Sequence, residues 1–559
     1  MKFPKLIISV FKTYDYGDKV ISGFAIAIVL LMFAKMIIFP YGFFHFGEPD
    51  IYTEGIVAKN GIQNINPLFV DYNEADREAA RLVFSGLMKY DPDKKAIVDD
   101  MAKLAISEDK TEYTFTLKSG IKWSDGTVFT IDDVYFTFHD LVMDPAFPNE
   151  ILKTNFAGVK ITKVNDKTIK FKLEKPNNFF IANLTTGILP KHLLGNVKSY
   201  DLLQEDFNKK PVGTGPYMAT SALQSFPDGR TQITLTKNPL YYDTVPEVTS
   251  IRLIAYPTMD DLLKEMGIYD GIVKVTGGYI KTVKSSERFN MMQYELPQYV
   301  GVFFNMDNPI VKDSRKIRLA LAKAINKIDL VSQFVDKIPV ETPIMELTQK
   351  DYEYPVNKEE SMKLLDESGY KYGKDDVNHL GIRYDSKEKA LELNLIARMY
   401  DEGTYQYQET IKVVDFLKTA WNGIGVSIKI EYLPEDMFKE RIMNRQYDLL
   451  LIGQSLGYNM DTYSYWHSTQ ANAQGQNFSN YKSFKVDSLI EDIRFVFDKG
   501  KRLQDLNQLA LQIKDDVPAI FLYRPVYYYA TDGKISGVSM DNLVFPSDRY
   551  SKVSTWTFQ

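Results

Sequence analysis

Ser119-Gly-Ile-Lys122 sets a hydroxyl and an amine at the spacing used by acyl-transferring serine enzymes. That chemistry needs the serine at a helix start and S-D-N and K-T-G partners. Here the motif follows an alternating strand pattern, precedes the turn signal Asp125-Gly126, and has no such partners. It reads as a turn. The five histidines, at 45, 139, 192, 379 and 467, are widely separated and form no H-E-x-x-H, so neither a catalytic nor a structural metal is expected. The chain has no cysteine, which removes thiol catalysis, disulfides, zinc ribbons and cysteine lipidation. No G-x-x-x-x-G-K-[ST] occurs, so any nucleotide hydrolysis must come from another subunit. No catalytic residue and no cofactor are expected.

What remains is binding, and the composition supports it. The 559 residues are 45% hydrophobic and 25% charged, enough for a large buried core. With 67 Lys+Arg against 73 Asp+Glu the net charge is −6, which gives no reason to expect nucleic acid as a partner.

Alternation with period two over residues 111–118 and 167–173 predicts half-exposed antiparallel strands, with similar patterns at 233–236 and 426–431. Helical periodicity covers 74–88, 314–325, 410–422 and 486–497. Asp313 or Ser314 suits the N-cap of the second helix, and Asn422-Gly423 the stop of the third. Turns are marked by Ser124-Asp125-Gly126, Gly213-Thr-Gly215-Pro216 and Phe226-Pro-Asp-Gly229. The expected architecture is a large α/β globule.

The N-terminus differs from the rest. Lys2, Lys5, Lys12 and Lys19 precede the apolar residues 20–39, which begin at Val20 and end at Phe39. As a helix this stretch spans about 30 Å, one hydrocarbon core. The preceding lysines put the N-terminus in the cytoplasm and residues 46–559 outside. A single-pass signal anchor in the cytoplasmic membrane is therefore expected; a cleaved signal peptide is the alternative, although no clear A-x-A site follows.

Several segments, in order from about residue 55 to 530, resemble the family 5 extracellular solute-binding proteins. Trp123-Ser-Asp125-Gly126-Thr-Val-Phe129-Thr130-Ile-Asp132-Asp133-Val134 is similar to W-x-D-G-x-x-[LF]-T-A-x-D-V. Pro211-Val-Gly213-Thr-Gly215-Pro216-Tyr217 matches V-G-T-G-P-Y, and Asn238-Pro-Leu-Tyr241-Tyr242 matches N-P-x-Y-[WY]. Phe304-Asn305, then Asp313-Ser-Arg315-Lys-Ile-Arg318 through Ala324-Ile325-Asn326-Lys327, resemble the family's f-N and D-x-R-V-R-x-A…A-I-[DN]-[RK] stretch. Gly423-Ile-Gly425-Val426 and Asp515-Asp516-Val517-Pro518-Ala519-Ile520 also fit. As residues these are structural: turns needing left-handed backbone, and arginines suited to salt bridges on a helix face.

The resemblance implies a periplasmic-binding-protein-like, two-lobed clamp of the class II type with an inserted subdomain. Lobe I would be 46–90, 211–305 and 525–559, the insertion 91–210, and lobe II 306–524, after the anchor at 1–45. It implies capture of a peptide or peptide-like molecule by backbone hydrogen bonds between lobes that close by hinge motion, and delivery to an ABC permease with its ATPase subunits. A sensor or structural protein reusing the clamp is the alternative.

Peptide-binding relatives carry R-x-G-W-x-A-D-Y-x-[DE]-P, whose aspartate neutralises the peptide amine. The matching stretch here retains Tyr458 and Asp461 but has Leu451 for the arginine, Gln454 for the tryptophan, Gly457 for the aspartate and Thr462 for the proline. Asp461, or Glu74 or Asp76 from the first lobe, is expected to take over the amine, or the ligand lacks one. Phe304, Tyr458, Tyr463, Trp466 and Tyr528 are the aromatic candidates for ligand contact.

Overall fold

A computed structural model of the chain describes residues 50–559, apart from 374, 375, 377 and 459, together with Asp15. The apolar stretch from Val20 to Phe39 lies outside the described residues. Among the described residues, no helix is long and apolar enough to cross a membrane.

One mixed sheet runs through the molecule. Its principal strands are β1 (Ile51–Val57), β2 (Thr231–Lys237), β3 (Ser250–Tyr256), β4 (Gly271–Val275), β5 (Asn290–Glu295), β6 (Gln298–Phe304), β7 (Glu392–Arg398), β8 (Ser427–Leu433), β9 (Leu449–Ser455) and β10 (Ala519–Thr531). Their order is β8-β7-β9-β6-β10-β4-β1-β3-β2, and β5 pairs with β10 off this path. The 13-residue β10 joins two halves. Its first part pairs with β6 and with Lys337–Pro339, its last part with β5 and β4. Because β6 is hydrogen-bonded to β9 and β10, the chain crosses between halves at Leu296-Pro297, alongside the crossing in β10. Two adjacent strand crossings form a natural hinge.

Each half buries both faces of its part of the sheet. Around β1–β4, one face packs Tyr52, Ile251 and Leu253, and the other Ile254, Leu262 and Ile272. Around β6–β9, Leu393, Leu395 and Trp421 fill one side, and Phe303, Leu450 and Phe521 the other. A four-stranded antiparallel sheet from residues 102–172 adds Phe115, Ile169 and Phe171 to the core of the first half.

The helices that matter for the site have clear starts. The Asn73 side chain accepts from Ala75 N at the head of α1 (Glu74–Val83). Ser314 caps α2 (Arg315–Lys323), and Thr404 caps α3 (Tyr405–Asn422), which ends at Gly423. Each cap satisfies an N–H that the first helical turn leaves open. Arg315 pairs with Asp515 at 2.5 Å, while Arg318 donates to the carbonyls of Val311, Lys312, Asp516 and Val517. These arginines clamp α2 to the turn before β10 and contact no cleft. Gly126 has φ +94° in the turn closed by Trp123 and Thr127, the left-handed backbone the Asp-Gly pair predicts.

Candidate functional site

The site is a cleft between the halves, and β9 forms its floor. β9 is paired with β6 along its whole length, but β7 reaches it only at Leu449 and Leu450. From Leu451 to Ser455 one edge therefore has no strand partner, although the Ser455 carbonyl accepts from the Tyr465 hydroxyl at 2.6 Å. Leu451, Ile452 and Gly453 line a chamber of about 750 Å³, and Ser455, Leu456 and Gly457 line a second of about 670 Å³. Opposite the first chamber, β1 ends in Ile56 and Val57, beyond its last pairing with β4 at Gly55. Two open strand edges facing a cleft offer N–H and C=O groups to an extended ligand.

The first chamber carries most of the charge. Glu74 and Glu78, one turn apart on α1, face it with Lys274. Lys274 reaches the cleft because β4 bulges between Ile272 and Val275, and its φ is +60°. Its ammonium lies 2.5 Å from Glu74 Oε2 and 4.9 Å from the centre of the Tyr527 ring. Burial pulls the Lys274 pKa down, but Glu74 and Tyr527 outweigh it and hold the amine above its ordinary range.

Glu78 belongs to a buried array. Arg549 Nη2 lies 2.6 Å from Glu54 Oε2, and Arg549 Nη1 lies 2.7 Å from Glu78 Oε2. Tyr529 and Tyr550 donate to Glu54 as well. All three charged residues are at most 1% exposed. Burial, seconded by Glu54 and Glu74 and opposed by Arg549, pushes the Glu78 carboxyl up to about 8.

Across the cleft, Lys337 pairs with Glu409 at 3.3 Å, and Tyr523 donates to Glu409 at 2.8 Å. Beside them the halves meet. Buried Asp336 accepts from Gly277 N at 2.7 Å, from the Tyr405 hydroxyl at 2.6 Å and from Lys337 at 3.1 Å. At the chamber mouth, Lys59 and Asp401 approach to 3.3 Å, an exposed pair of little energetic weight.

The second chamber is closed by Tyr458. Its hydroxyl donates to buried Asp548 at 2.6 Å, and its ring packs 5.2 Å from Tyr90 and 4.9 Å from Phe545. Asp548 also accepts from the amides of Val544 and Phe545, so it is fixed before Tyr458 arrives. Gly457 has φ +69°, and a Cβ built there would meet no atom within 4 Å. The position that carries an aspartate in peptide-binding relatives is thus open space at the chamber wall.

Of the residues expected from sequence, Glu74 lines the first chamber, and Tyr458 and Asp461 the second. The Asp461 carboxylate is held by Arg494 Nε and Nη2 at 3.0 and 2.6 Å. The other five lie elsewhere. Asp76 is buried, accepts from Gln63 N at 2.6 Å and fixes the chain before α1; burial raises its carboxyl to about 6. Phe304 and Trp466 are core residues, Phe304 against α2 and Trp466 stacked on Phe303. Tyr463 stacks on His467 and under Arg494. Tyr528 points off the cleft face of β10 and donates to Gln293.

Tyr527 was the informative neighbour. Alternation along β10 turns Tyr527 towards the chamber and Tyr528 away, a distinction the sequence carries once the strand's facing is known. Lys274, Lys337 and Glu409 left no such signal, because the bulge and the approach of α3 are tertiary.

The model of bacterial extracellular solute-binding proteins, family 5 Middle, matches residues 96–476. Oligopeptide-binding protein AppA of Bacillus subtilis is 27% identical over 514 residues, covering 88% of this chain and 90% of its own length. The structure of NikZ from Campylobacter jejuni in complex with Ni(L-His) superposes with a TM-score of 0.74 at 24% identity, covering 91% of this chain and 100% of that one. The periplasmic oligopeptide-binding protein of an oligopeptide ABC transporter from Thermotoga maritima gives 0.76 at 19% identity, covering 91% and 99%. An open strand edge in a cleft beside a two-strand hinge and a family match over most of the sequence lead to one conclusion: the chain belongs to the family 5 bacterial extracellular solute-binding proteins.

Proposed function

We propose that this protein is an extracytoplasmic receptor of an ABC importer that takes an extended peptide or peptide-like ligand between its two lobes and passes it to the permease. The observation that carries this reading is the open edge of β9 from Leu451 to Ser455, which runs from one chamber into the next. A ligand laid along it gains main-chain hydrogen bonds whatever its side chains are, and the chambers accept the side chains. The chemistry is binding without bond-making. AppA is named as an oligopeptide-binding protein, and the likeness to it covers nearly the whole of both chains.

In this reading the clamp is of the class II type, with residues 91–210 as a subdomain inserted in lobe I. The stretch from Val20 to Phe39 tethers it to the cytoplasmic membrane, with the lobes outside. Gly457, Tyr458 and Asp461 border the second chamber, and Glu74 with Tyr527 the first.

The test is to isolate the full-length chain from its own cells in mild detergent and identify bound molecules by native mass spectrometry. A population of peptides of several lengths is expected. A ligand-free protein that also gains no thermal stability from a mixed peptide library would refute the proposal.

A further inference from the structure

We infer that the first chamber receives a positively charged group of the ligand, an ammonium or a guanidinium, against Glu78 and Glu74 of α1. The inference rests on the peptide reading above and names which part of the ligand sits where.

Acidic groups outnumber basic ones in this corner of the cleft. Glu54, Glu74 and Glu78 converge on this corner with only Arg549 and Lys274, among the described residues, to balance them. Glu54 has its oxygens bound by Arg549, Tyr529 and Tyr550, and Glu74 has Lys274. Glu78 is left under-served. Its Oε2 lies 2.7 Å from its counter-charge, Arg549 Nη1, but neither carboxyl oxygen has a hydrogen-bond partner, although the residue is 1% exposed. A buried carboxyl oxygen without a donor is costly, and Glu78 lines the chamber where a ligand would lie.

The remainder of the chamber is also acid-rich, although Glu409 has Lys337 and Asp401 has Lys59 at 3.3 Å each. Asp260, Asp401, Glu402 and Glu409 also line it, against Lys337 and Arg398. The second chamber is different. Asp71, Glu150 and Asp461 line it, and each already has a partner: Arg77 at 2.5 Å, Lys153 at 2.6 Å and Arg494 at 2.6 Å. A cation entering beside Gly457 meets engaged carboxylates; one entering the first chamber meets Glu78.

Before a ligand binds, a proton on Glu78 offsets the excess of acid. The groups that face Glu78 are Glu74 on its own helix, Glu54 on β1, Lys274 on β4, Tyr294 on β5, and Arg549 and Tyr550 near the C-terminus. Burial, seconded by Glu54 and Glu74 and opposed by Arg549, holds its carboxyl up to about 8, so at pH 7 it is mostly neutral. A ligand cation drives the proton off, and binding then releases it to solvent.

Three probes test this by calorimetry on the full-length protein: pentaalanine amide with a free amine, its N-acetyl form, and an N-acetyl pentapeptide amide with a central lysine. At pH 7, at least one of the two cationic peptides is expected to bind about tenfold or more tighter than the neutral one. Titrations in two buffers of different ionisation enthalpy should show it releasing close to one proton. Glu78→Gln should bring the affinity ratio towards one and abolish the proton release, and Glu74→Gln should reduce the ratio several-fold. Thermal unfolding of both variants checks that they fold; because Glu74 is partly exposed, its variant reads the chamber even if Glu78→Gln is unstable. Equal binding of all three peptides, or an undiminished cation preference in both variants, would overturn the inference while leaving the peptide reading intact. Failure of every peptide to bind would overturn that reading and the inference with it.

Discussion

Arg549→Met should lower the midpoint of thermal unfolding by about 10 °C, a large effect for one side chain near the C-terminus. The guanidinium is fully buried and serves two buried carboxylates that have no other cation at comparable distance among the described residues. Removing one partner of a buried pair costs about 3–5 kcal/mol, because the surviving charge keeps its desolvation penalty and loses its compensation. Each kcal/mol displaces the midpoint by about 2–4 °C in a unit of this size. Methionine keeps the aliphatic stem but not the guanidinium, so the lost charge is joined by a small cavity where the head lay. Arg549 is 495 residues from Glu54 in sequence, so the array also ties the last residues of the chain to its first strand. The variant should therefore unfold the first lobe at lower temperature than the second, read as two calorimetric transitions. An unchanged midpoint would contradict this role of Arg549 in the buried array.

Gly277→Ala is the second large effect, this time on binding. Gly277 has φ +56°, which a residue with a side chain adopts at a cost of about 1 kcal/mol or more. A Cβ there would stand 2.0 Å from Cε2 of Tyr405, on the opposite lobe, and no relaxation short of moving the ring accommodates it. The ring is itself fixed by the Tyr405 hydroxyl on Asp336, which also holds Gly277 N. The methyl thus acts as a wedge close to the two strand crossings, where a small displacement opens the cleft widely. A closed state raised by about 3 kcal/mol lowers apparent affinity about 100-fold, because only the closed fraction holds the ligand. Small-angle scattering should show the radius of gyration of the ligand-soaked variant staying at the open value. Tyr405→Ala on the same background should restore part of the affinity by making room for the methyl. An unaltered affinity in Gly277→Ala would contradict this placement of the hinge.

Local structure was largely legible in the sequence. The alternation read at 111–118 and 167–173 is seen as strands Glu112–Leu117 and Thr168–Lys172, and the period read at 314–325 as α2 with Ser314 as its cap. The third helix begins earlier than expected, at Tyr405 rather than 410, because Tyr405 and Gln406 face the cleft and break its apolar stripe. β9 carries the floor of the site but gives no alternating signal. Its Leu-Leu-Leu-Ile run is a central strand buried on both faces, which period alone does not separate from a helix.

The site was less legible for a definite reason. Motifs shared along the family fall on turns and on the α2 clamp, so they report the scaffold and not the ligand. Phe304, itself a motif residue, and Trp466, an aromatic after the 448–462 stretch, are both core residues. The charges that define the first chamber come from α1, a bulge in β4, α3 and the C-terminus, brought together from some 500 residues of chain. The departure at Gly457 was visible in sequence, but its meaning needed the structure. It leaves the second chamber with paired carboxylates and shifts attention to Glu78 in the first.

The central claim is that an extended ligand adds itself to the open edge of β9. Amide hydrogen exchange of the full-length protein, with and without a saturating pool of mixed-sequence peptides of three to nine residues, tests it most directly. Exchange should slow at Gly453 and Ser455 and at Val57, whose amides face the cleft, while the alternate amides already paired within the sheet change little. Protection confined to other surfaces, or none at these amides, would contradict the account.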